Sequence, residues 1–415
     1  MDEQIIRGLQ NSPFIDSVSG GSENIIPALG TPLTSEEAMA LAIFLAGRRP
    51  YKVSPNPAVG CVVMDAQGKY LGSGYHEYCG GPHAEVNALK GLTRDQLKGA
   101  HVFVTLEPCA HEGRTPSCAK MLVTYPIAKV VYGVKDPNPL VAGKGAAILE
   151  NHGIVAELYP AKGNLTRELQ EICEAFLWNQ NFKKPFVALK IASSLDSQLS
   201  LESGESKWVT GDEARRYVHH LRACYDGLLV SAKTILTDNP SLNIRNIPTD
   251  KTNVILIADR QGELLDKVQQ LEIFKVHLVS KIILFVDETL KNQISSKKQD
   301  LISIDSNLSN LRIEFIPTRG IHLDFRALLD RCWDLKVYSI FIEAGARMSS
   351  GLIADQLIQR LYLFQSLSLF GADQHQSWTQ GLKLQSLRER YFLQNPRFQG
   401  FSEQDFLISG LLTSK

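Results

Sequence analysis

Excess charge of either sign is missing from this chain: of 415 residues, Lys+Arg and Asp+Glu each number 44. That balance counts against a nucleic-acid substrate held by bulk electrostatics, and no stripe of interleaved aromatic and basic residues compensates for it. No apolar run approaches the ~20 residues that a membrane-spanning helix needs, so no membrane partner is expected. The seven cysteines, at positions 61, 79, 109, 118, 173, 224 and 332, are odd in number and irregular in spacing. They form no disulfide framework and fit a reducing compartment. The first 33 residues carry little positive charge and no signal-peptide core, so export is not expected and a cytoplasmic location is. GxGxxG at a strand-to-helix turn, repeats of fixed period and low-complexity tracts are absent as well.

What remains is an ordinary globular composition, 44% hydrophobic and 21% charged, on a chain too long for a single core. Residues 1–33, with the Ser/Gly-rich stretch SVSGGSEN and no sustained period, read as a disordered extension. A first domain is expected over 34–180 and a second over 181–415. In the first, Thr34-Ser35-Glu36-Glu37 is a capping-box-like helix start. Strands are predicted at AVGCVVM (58–64), toward Gly74, at VFVTL (102–106) and at KVVYGV (129–134), with a bridging helix near 165–178. From Pro185 the pattern restarts with near-continuous apolar strands at 186–192, 226–231, 253–258, 281–286, 312–316, 338–343 and 360–364. Helices are predicted at 211–222 and 324–334. Such strands suit a largely parallel sheet covered on both faces.

Chemistry concentrates between residues 83 and 118. His83-Ala84-Glu85 lies in PHAEVNAL, and Cys109 and Cys118 lie in LEPCAHEGRTPSC. One imidazole and two thiolates suit a tetrahedral Zn²⁺ that keeps one position open. Glu85, two residues past the histidine, is placed to move protons rather than to bind metal. That set is what a zinc deaminase needs. Core cysteines beside an ordinary histidine are the competing reading, but Pro82 introduces a helix start and VFVTL runs directly into Glu107-Pro108-Cys109. Both candidate ligand groups therefore sit where an element begins or ends.

In the second half, polar residues gather at predicted strand ends: Ser194-Leu195-Asp196, SGESKWVT (203–210), Arg222, Thr234, Asp238, Arg245 and Glu343. Open parallel sheets bind ligands at the carboxyl ends of their strands. The chemistry alone leaves open a nucleotide or sugar-phosphate site and a set of ordinary polar turns.

Together these segments resemble the bifunctional riboflavin-biosynthesis deaminase/reductases. In that family a zinc pyrimidine deaminase with a cytidine-deaminase-like α/β/α fold is fused to a dihydrofolate-reductase-like α/β domain. The resemblance rests on SPNPAVG (54–60), PHAEVNAL (82–89), TLEPCAHEGRTPSC (105–118) and KDPNPLVAGKG (135–145), then on KIASSLD (190–196), SGESKWVTGDEARR (203–216), TILTDNPSLNIR (234–245) and IEAG (342–345). The eight residues between the cysteines, with His111, Arg114 and Thr115, look like the riboflavin-pathway version rather than the Cys-x-x-Cys of nucleoside deaminases. The resemblance implies one Zn²⁺ on His83, Cys109 and Cys118, with Glu85 as proton shuttle. It implies hydrolysis of the ring amine of a small diaminopyrimidinone phosphoriboside, followed by NADPH-dependent reduction of the ribosyl unit. Ala192, Trp208, Thr210, Thr234, Asp238 and Gly345 would then line the NADPH site. Ser206, Arg222, Leu242, Arg245 and Glu343 would face the substrate, the two arginines suiting its phosphate. A homo-oligomer is expected.

Two positions depart from the family. Ser197 follows Ser-Leu-Asp where glycine is usual, and Ala344 replaces the first glycine of Glu-Gly-Gly. If either backbone needs positive φ, the larger residue costs about 1 kcal/mol. The segment SAKT (231–234) also lacks glycines seen in relatives. These departures support a rival reading in which the second domain is a catalytically silent scaffold. A deaminase of another substrate, a nucleoside or tRNA base, is disfavoured by the long Cys–Cys spacing and the neutral charge.

Overall fold

The computed structural model describes residues 26–48, 50–110, 117–137, 142–160, 164–206, 208–247, 249–371, 377–401 and 403–414. Residues His111, Arg114 and Thr115, and positions 1–25 of the expected extension, lie outside that set. The chain divides into two compact units, Met1–Lys183 and Lys184–Lys415.

The first unit opens with α1 (Ser35–Ala46). The Thr34 hydroxyl accepts from the Glu37 amide, and the Glu37 carboxylate accepts from the Thr34 amide, completing the predicted capping box. The rest of the unit comprises β1 (Gly60–Met64), β2 (Tyr70–Tyr75), α2 (Ala84–Leu89), β3 (Ala100–Leu106), α3 (Cys118–Leu122), β4 (Ile127–Val134), α4 (Lys144–Glu150), β5 (Val155–Leu158), α5 (Asn164–Ile172) and α6 (Glu174–Phe182). The sheet order is β2-β1-β3-β4-β5, with β1 antiparallel to both neighbours and β3, β4 and β5 parallel. Every residue of β1 is buried because both faces are covered. Val62 and Met64 pack with α1, while Cys61 and Val63 pack with Ala84, Ala88 and Leu89 of α2. This is the expected α/β/α layering, read directly from the period of two in the strand.

The end of the segment expected to be a disordered extension is in fact tied to the sheet. Gly30 donates to the Tyr70 carbonyl, Tyr70 to the Thr31 carbonyl and Leu33 to the Gly68 carbonyl, each at 2.8 Å. Leu33 is 7% exposed and belongs to the core under α1. One well-placed apolar side chain and three ladder bonds order a stretch whose composition looked disordered.

The second unit contains β6 (Phe186–Ser193), α7 (Asp212–Cys224), β7 (Gly227–Ser231), α8 (Ala232–Asp238), β8 (Val254–Ala258), α9 (Glu272–Val276), β9 (Ile282–Asp287), α10 (Lys291–Ile304) and β10 (Arg312–Ile316). The short pair β11 (Thr318–Arg319) and β12 (His322–Leu323) follows, then α11 (Phe325–Asp334), β13 (Ser339–Glu343), α12 (Ala346–Ala354), β14 (Arg360–Ser366), β15 (Tyr391–Phe401) and β16 (Asp405–Ser414). The nine-stranded sheet runs β10-β9-β8-β7-β13-β6-β14-β16-β15. It is parallel from β10 to β14, and β16 and β15 add an antiparallel edge.

That last hairpin was not legible in the sequence. β15 is an edge strand with mostly half-exposed or exposed residues, and its register shifts between Gln394 and Arg397, where Asn395 has φ 49° beside Pro396. Proline and a bulge are tolerated at a sheet edge, and together they erase the alternation that marks a strand.

The two family departures have different fates. Ser197 has φ 65°, in a turn whose amide donates 3.0 Å to the Ser194 carbonyl. Ala344 has no left-handed backbone and packs its methyl against the core. Ser197→Gly is therefore expected to stabilise the second unit by about 1 kcal/mol, read as a raised denaturant midpoint at constant slope. Ala344→Gly is expected to stabilise nothing.

Candidate functional site

α2 begins at the metal candidate. His83 is its N-cap residue, with extended backbone and no side-chain cap hydrogen bond, so the imidazole is not committed to the helix end. Glu85 occupies the first turn and is 3% exposed. Cys109 follows the end of β3, and Cys118 is the first residue of α3 behind Ser117, whose hydroxyl caps that helix through the Lys120 amide. The two cysteine segments are pinned together: the Ser117 hydroxyl donates to the Cys109 carbonyl at 2.7 Å, and the Cys118 amide to the Cys109 sulfur at 3.3 Å.

The ligand atoms of His83, Cys109 and Cys118 all lie within 4.8 Å of one another. His83 Nδ1 is 3.1 Å from Cys118 Sγ and 3.7 Å from Cys109 Sγ. A tetrahedral zinc with one nitrogen and two sulfurs has edges of about 3.5–3.8 Å, so the donor set fits the ion in both chemistry and spacing. The hydrogen bond between the thiols holds Cys109 well below the ordinary thiol value and Cys118 well above it. A divalent cation in place of that shared proton favours two thiolates. Burial pushes the Glu85 carboxyl up, the direction wanted for a group that must carry a proton near neutrality.

Neighbouring side chains fix the surroundings of these groups. His76 lies edge-on to His83 with ring centroids 5.5 Å apart, bonds the Pro82 carbonyl through Nδ1 at 3.0 Å, and contacts Asn56 through Nε2 at 3.2 Å. Glu107, 3% exposed, accepts from the amides of Asp136, Gly143 and Ala146 at 3.3, 3.1 and 3.3 Å. It thus ties Asp136, Gly143 and Ala146 to the stretch after β3 that carries Cys109. Gly145 is required at this crossing, since a Cβ there would lie 2.0 Å from the Pro108 carbonyl oxygen. Asn56 and Glu107 lie in motifs visible in the sequence and His76 lies outside them, and only proximity in the fold gives the three these tasks.

In the second unit the polar residues divide into three groups. Glu343, at the end of β13, receives the Arg222 guanidinium on both oxygens, at 2.5 and 3.1 Å, and Lys190 of β6 lies 3.9 Å away. Burial pushes Glu343 up, but Arg222 and Lys190 outweigh it and hold the carboxyl at about 2. Burial pushes Lys190 down. His219 is lowered to about 4 by burial and by Arg222 and Arg245, so it adds no charge at neutral pH. Lys190, missed as a site residue because it reads as one polar interruption of an apolar strand, completes this cluster. Arg222 also donates 3.1 Å to the Asn243 carbonyl; its guanidinium is thus engaged by protein groups. Arg245 has no carboxylate partner within 4 Å among the described residues.

The second group surrounds a cavity of about 680 Å³ at the carboxyl ends of β7, β8 and β13, lined in part by Ser206, Thr234, Asp238 and Gly345. Ala192, Trp208 and Thr210 are not among its lining residues. The cavity mixes apolar walls with hydroxyls and cations and has Gly345, the N-cap of α12 with no side-chain cap, on its rim. That composition fits a dinucleotide phosphate.

The third group lies outside the lining of that cavity. Asp196 accepts from the Ser194 hydroxyl at 2.5 Å and from the amides of Phe370 and Gly371 at 3.1 and 2.8 Å, clamping two loops together. Trp208 is 73% exposed with φ 66°, and the Arg215 guanidinium lies over its ring at 4.2 Å. Leu242 is buried with φ 52°. Positive φ at such bulky residues is uncommon and clusters at functional sites.

Comparison with known proteins agrees with this division. Residues 33–134 match the cytidine and deoxycytidylate deaminase zinc-binding region, and residues 185–398 match the RibD C-terminal domain. The riboflavin biosynthesis protein RibD of Escherichia coli is 33% identical over 341 residues, covering 82% of this chain and 90% of its own length. The chain belongs to the RibD family. The Aquifex aeolicus RibD is 34% identical over 333 residues, 80% of this chain and 87% of its own. A Thermotoga maritima structure described as a diaminohydroxyphosphoribosylaminopyrimidine deaminase/5-amino-6-(5-phosphoribosylamino)uracil reductase superposes with a TM-score of 0.74 at 31% identity, covering 92% of this chain and 98% of that one. Acinetobacter baumannii RibD gives a TM-score of 0.72 at 31% identity, covering 91% and 98%. The RibD family architecture, a zinc deaminase domain followed by an NADPH-dependent reductase domain, is the architecture of this chain. No helix among the described residues is long and apolar enough to cross a membrane.

Proposed function

We propose that this chain performs two consecutive steps of riboflavin biosynthesis. The first hydrolyses 2,5-diamino-6-(5-phosphoribosylamino)pyrimidin-4(3H)-one to 5-amino-6-(5-phosphoribosylamino)uracil and ammonia. The second reduces the ribosyl unit to ribityl with NADPH. The observation that carries the reading is the His83, Cys109 and Cys118 cluster with the buried Glu85 beside it.

In this reading His83, Cys109 and Cys118 would hold Zn²⁺, which would supply a water acidic enough to act as a nucleophile at neutral pH. Glu85 takes a proton at its carboxylate and returns it to the departing amine nitrogen, a task its burial favours. His76, held by Asn56 and the Pro82 carbonyl, steadies the His83 imidazole beside it. In the second unit NADPH supplies the reducing equivalents. Thr234, Asp238 and Gly345 line its cleft, with Ala192, Trp208 and Thr210 assigned to the same cofactor by family resemblance. Ser206, Arg222, Leu242, Arg245 and Glu343 are assigned to the substrate. Because Arg222 is already engaged by Glu343, Arg245 takes the substrate phosphate and Arg222 orients the carboxylate. Lys190 joins that group. The protein works in the cytoplasm as a homo-oligomer.

The test is an assay of purified, zinc-loaded protein on the diaminopyrimidinone phosphoriboside, with ammonia release and NADPH oxidation followed separately. Both signals are expected, in that order. Ammonia without NADPH oxidation would overturn the reductase half of the reading and leave the deaminase half standing.

A further inference from the structure

The segment that carries Arg245 is held in place by side chains. It runs between α8 and β8, and residues 240–246 make no backbone–backbone hydrogen bond among the described residues. Leu242 and Asn246 still hold left-handed backbones, with φ 52° and 64°. Residues other than glycine keep such a conformation only where their surroundings over-determine it. Leu242 contributes a buried side chain, and three hydrogen bonds supply the rest. His277 Nε2 donates to the Ser241 carbonyl at 2.7 Å, Arg222 Nη1 donates to the Asn243 carbonyl at 3.1 Å, and the Arg245 amide donates to His219 Nδ1 at 3.2 Å.

Only the last of these acts on Arg245 itself. His219 and Arg222 stand three positions apart on α7, so they share a face of the helix and reach the same segment. His219 is 7% exposed, and its ring also bonds the Asn243 carbonyl. Accepting the Arg245 amide requires an unprotonated Nδ1, so the neutral ring carries its proton on Nε2. Burial and the charges of Arg222 and Arg245 keep the ring neutral.

The choice of residue follows from the neighbouring charge. The amide needs an acceptor on α7, and lysine or arginine would offer none. A carboxylate would accept the amide but would also attract the Arg245 guanidinium, whose charge is felt at this ring, and would compete with an anionic ligand for it. A neutral imidazole fixes the backbone of Arg245 and leaves its charge to the ligand.

We propose that His219 is a positioning residue of the reductase, fixing the Arg245 backbone so that the guanidinium meets the substrate phosphate. This role rests on the reading above in which Arg245 takes that phosphate.

The experiment is steady-state NADPH oxidation by the full chain on 5-amino-6-(5-phosphoribosylamino)uracil, arranged as a double-mutant cycle. Its members are the wild type, His219→Leu, Arg245→Gln and the double variant, with His219→Asn as the rescue. Leucine fills the site without an acceptor, whereas asparagine places an amide oxygen near the position of Nδ1. Arg245→Gln is expected to raise the KM for the phosphorylated substrate about 10- to 100-fold, the loss of a charge-assisted contact. His219→Leu should raise it about tenfold, with kcat and the KM for NADPH within about twofold of the wild type. His219→Asn should recover most of that loss, and the double variant should be no worse than Arg245→Gln alone. Effects that multiply in the double variant would show that His219 acts independently of Arg245 and would overturn the proposal. So would an unchanged KM in His219→Leu, a joint loss of kcat and NADPH affinity, or a failure of asparagine to rescue. If leucine prevents folding, His219→Gln, which displaces the amide by one methylene, takes its place in the cycle under the same criteria. An unchanged KM in Arg245→Gln would remove the phosphate from Arg245 and the role of His219 with it, leaving the reductase reading intact. A wild type that oxidises no NADPH would overturn that reading as well.

Discussion

Glu85→Gln is expected to lower ammonia release by about 10²–10⁴-fold, the range that a positioned proton carrier contributes, while the purified protein keeps about one zinc per chain. The geometry separates the two roles. Three side chains, His83, Cys109 and Cys118, place their ligand atoms within 4.8 Å of one another, and Glu85 is not one of them. Glutamine preserves the volume in a site that is 3% exposed, and it cannot take up a proton. Zinc is measured by elemental analysis, and ammonia with a glutamate-dehydrogenase-coupled assay. Loss of the metal together with the activity would make Glu85 a ligand and sink the proton-carrier role. Cys109→Ser and Cys118→Ser serve as the contrast: each should lose the metal and the activity together.

Glu343→Gln is expected to abolish NADPH oxidation and to destabilise the second unit by about 3 kcal/mol. Its carboxylate is the shared counter-ion of Arg222 and Lys190, and all three side chains are at most 17% exposed. Removing one partner of a buried ion cluster leaves uncompensated charge and costs about 3–5 kcal/mol. Glu343→Asp keeps the charge but withdraws it by one methylene, so it should recover most of the stability and little of the reduction. The same group predicts an acid limb. Its carboxyl is held at about 2 against an ordinary 4.5, so the folded state binds the proton less well than the unfolded chain. The stability this group contributes is complete above about pH 4.5 and is lost as pH falls toward 2. Denaturant unfolding across that window should show a shallower pH dependence for Glu343→Gln than for the wild type. Identical profiles would remove Glu343 from the account of acid stability.

The readable parts of this chain are those where local chemistry and the fold agree. The α1 capping box, the apolar strands of both units and the start of α2 at His83 are set by residues within a few positions of one another, so the sequence displays them. The same holds for the metal set, because His83 and Cys109 each sit at the boundary of a periodic element. β15 escaped because its bulge and proline remove alternation at a sheet edge. The binding of residues 30–33 to β2 escaped because three ladder bonds and one buried leucine leave no compositional trace. Ser197 lies between these cases. Its departure from glycine is visible in the sequence, but only the φ of 65° separates a strained position from the harmless one at Ala344.

The sequence by itself determined the α/β organisation and singled out the candidate zinc donor set and the carboxylate proposed as proton carrier. These depend on residue type, short spacing and periodicity, which a linear chain records. Only the tertiary structure decided that Arg222 is spent on Glu343, that Lys190 completes their cluster, and that the His219 ring accepts the Arg245 amide. Each of those outcomes depends on which side chains from distant strands meet in a low-dielectric site, and on which hydrogen-bond partners remain when the backbone has taken its share. Pairing of that kind is a property of sheet order and register, and neither can be read along the chain.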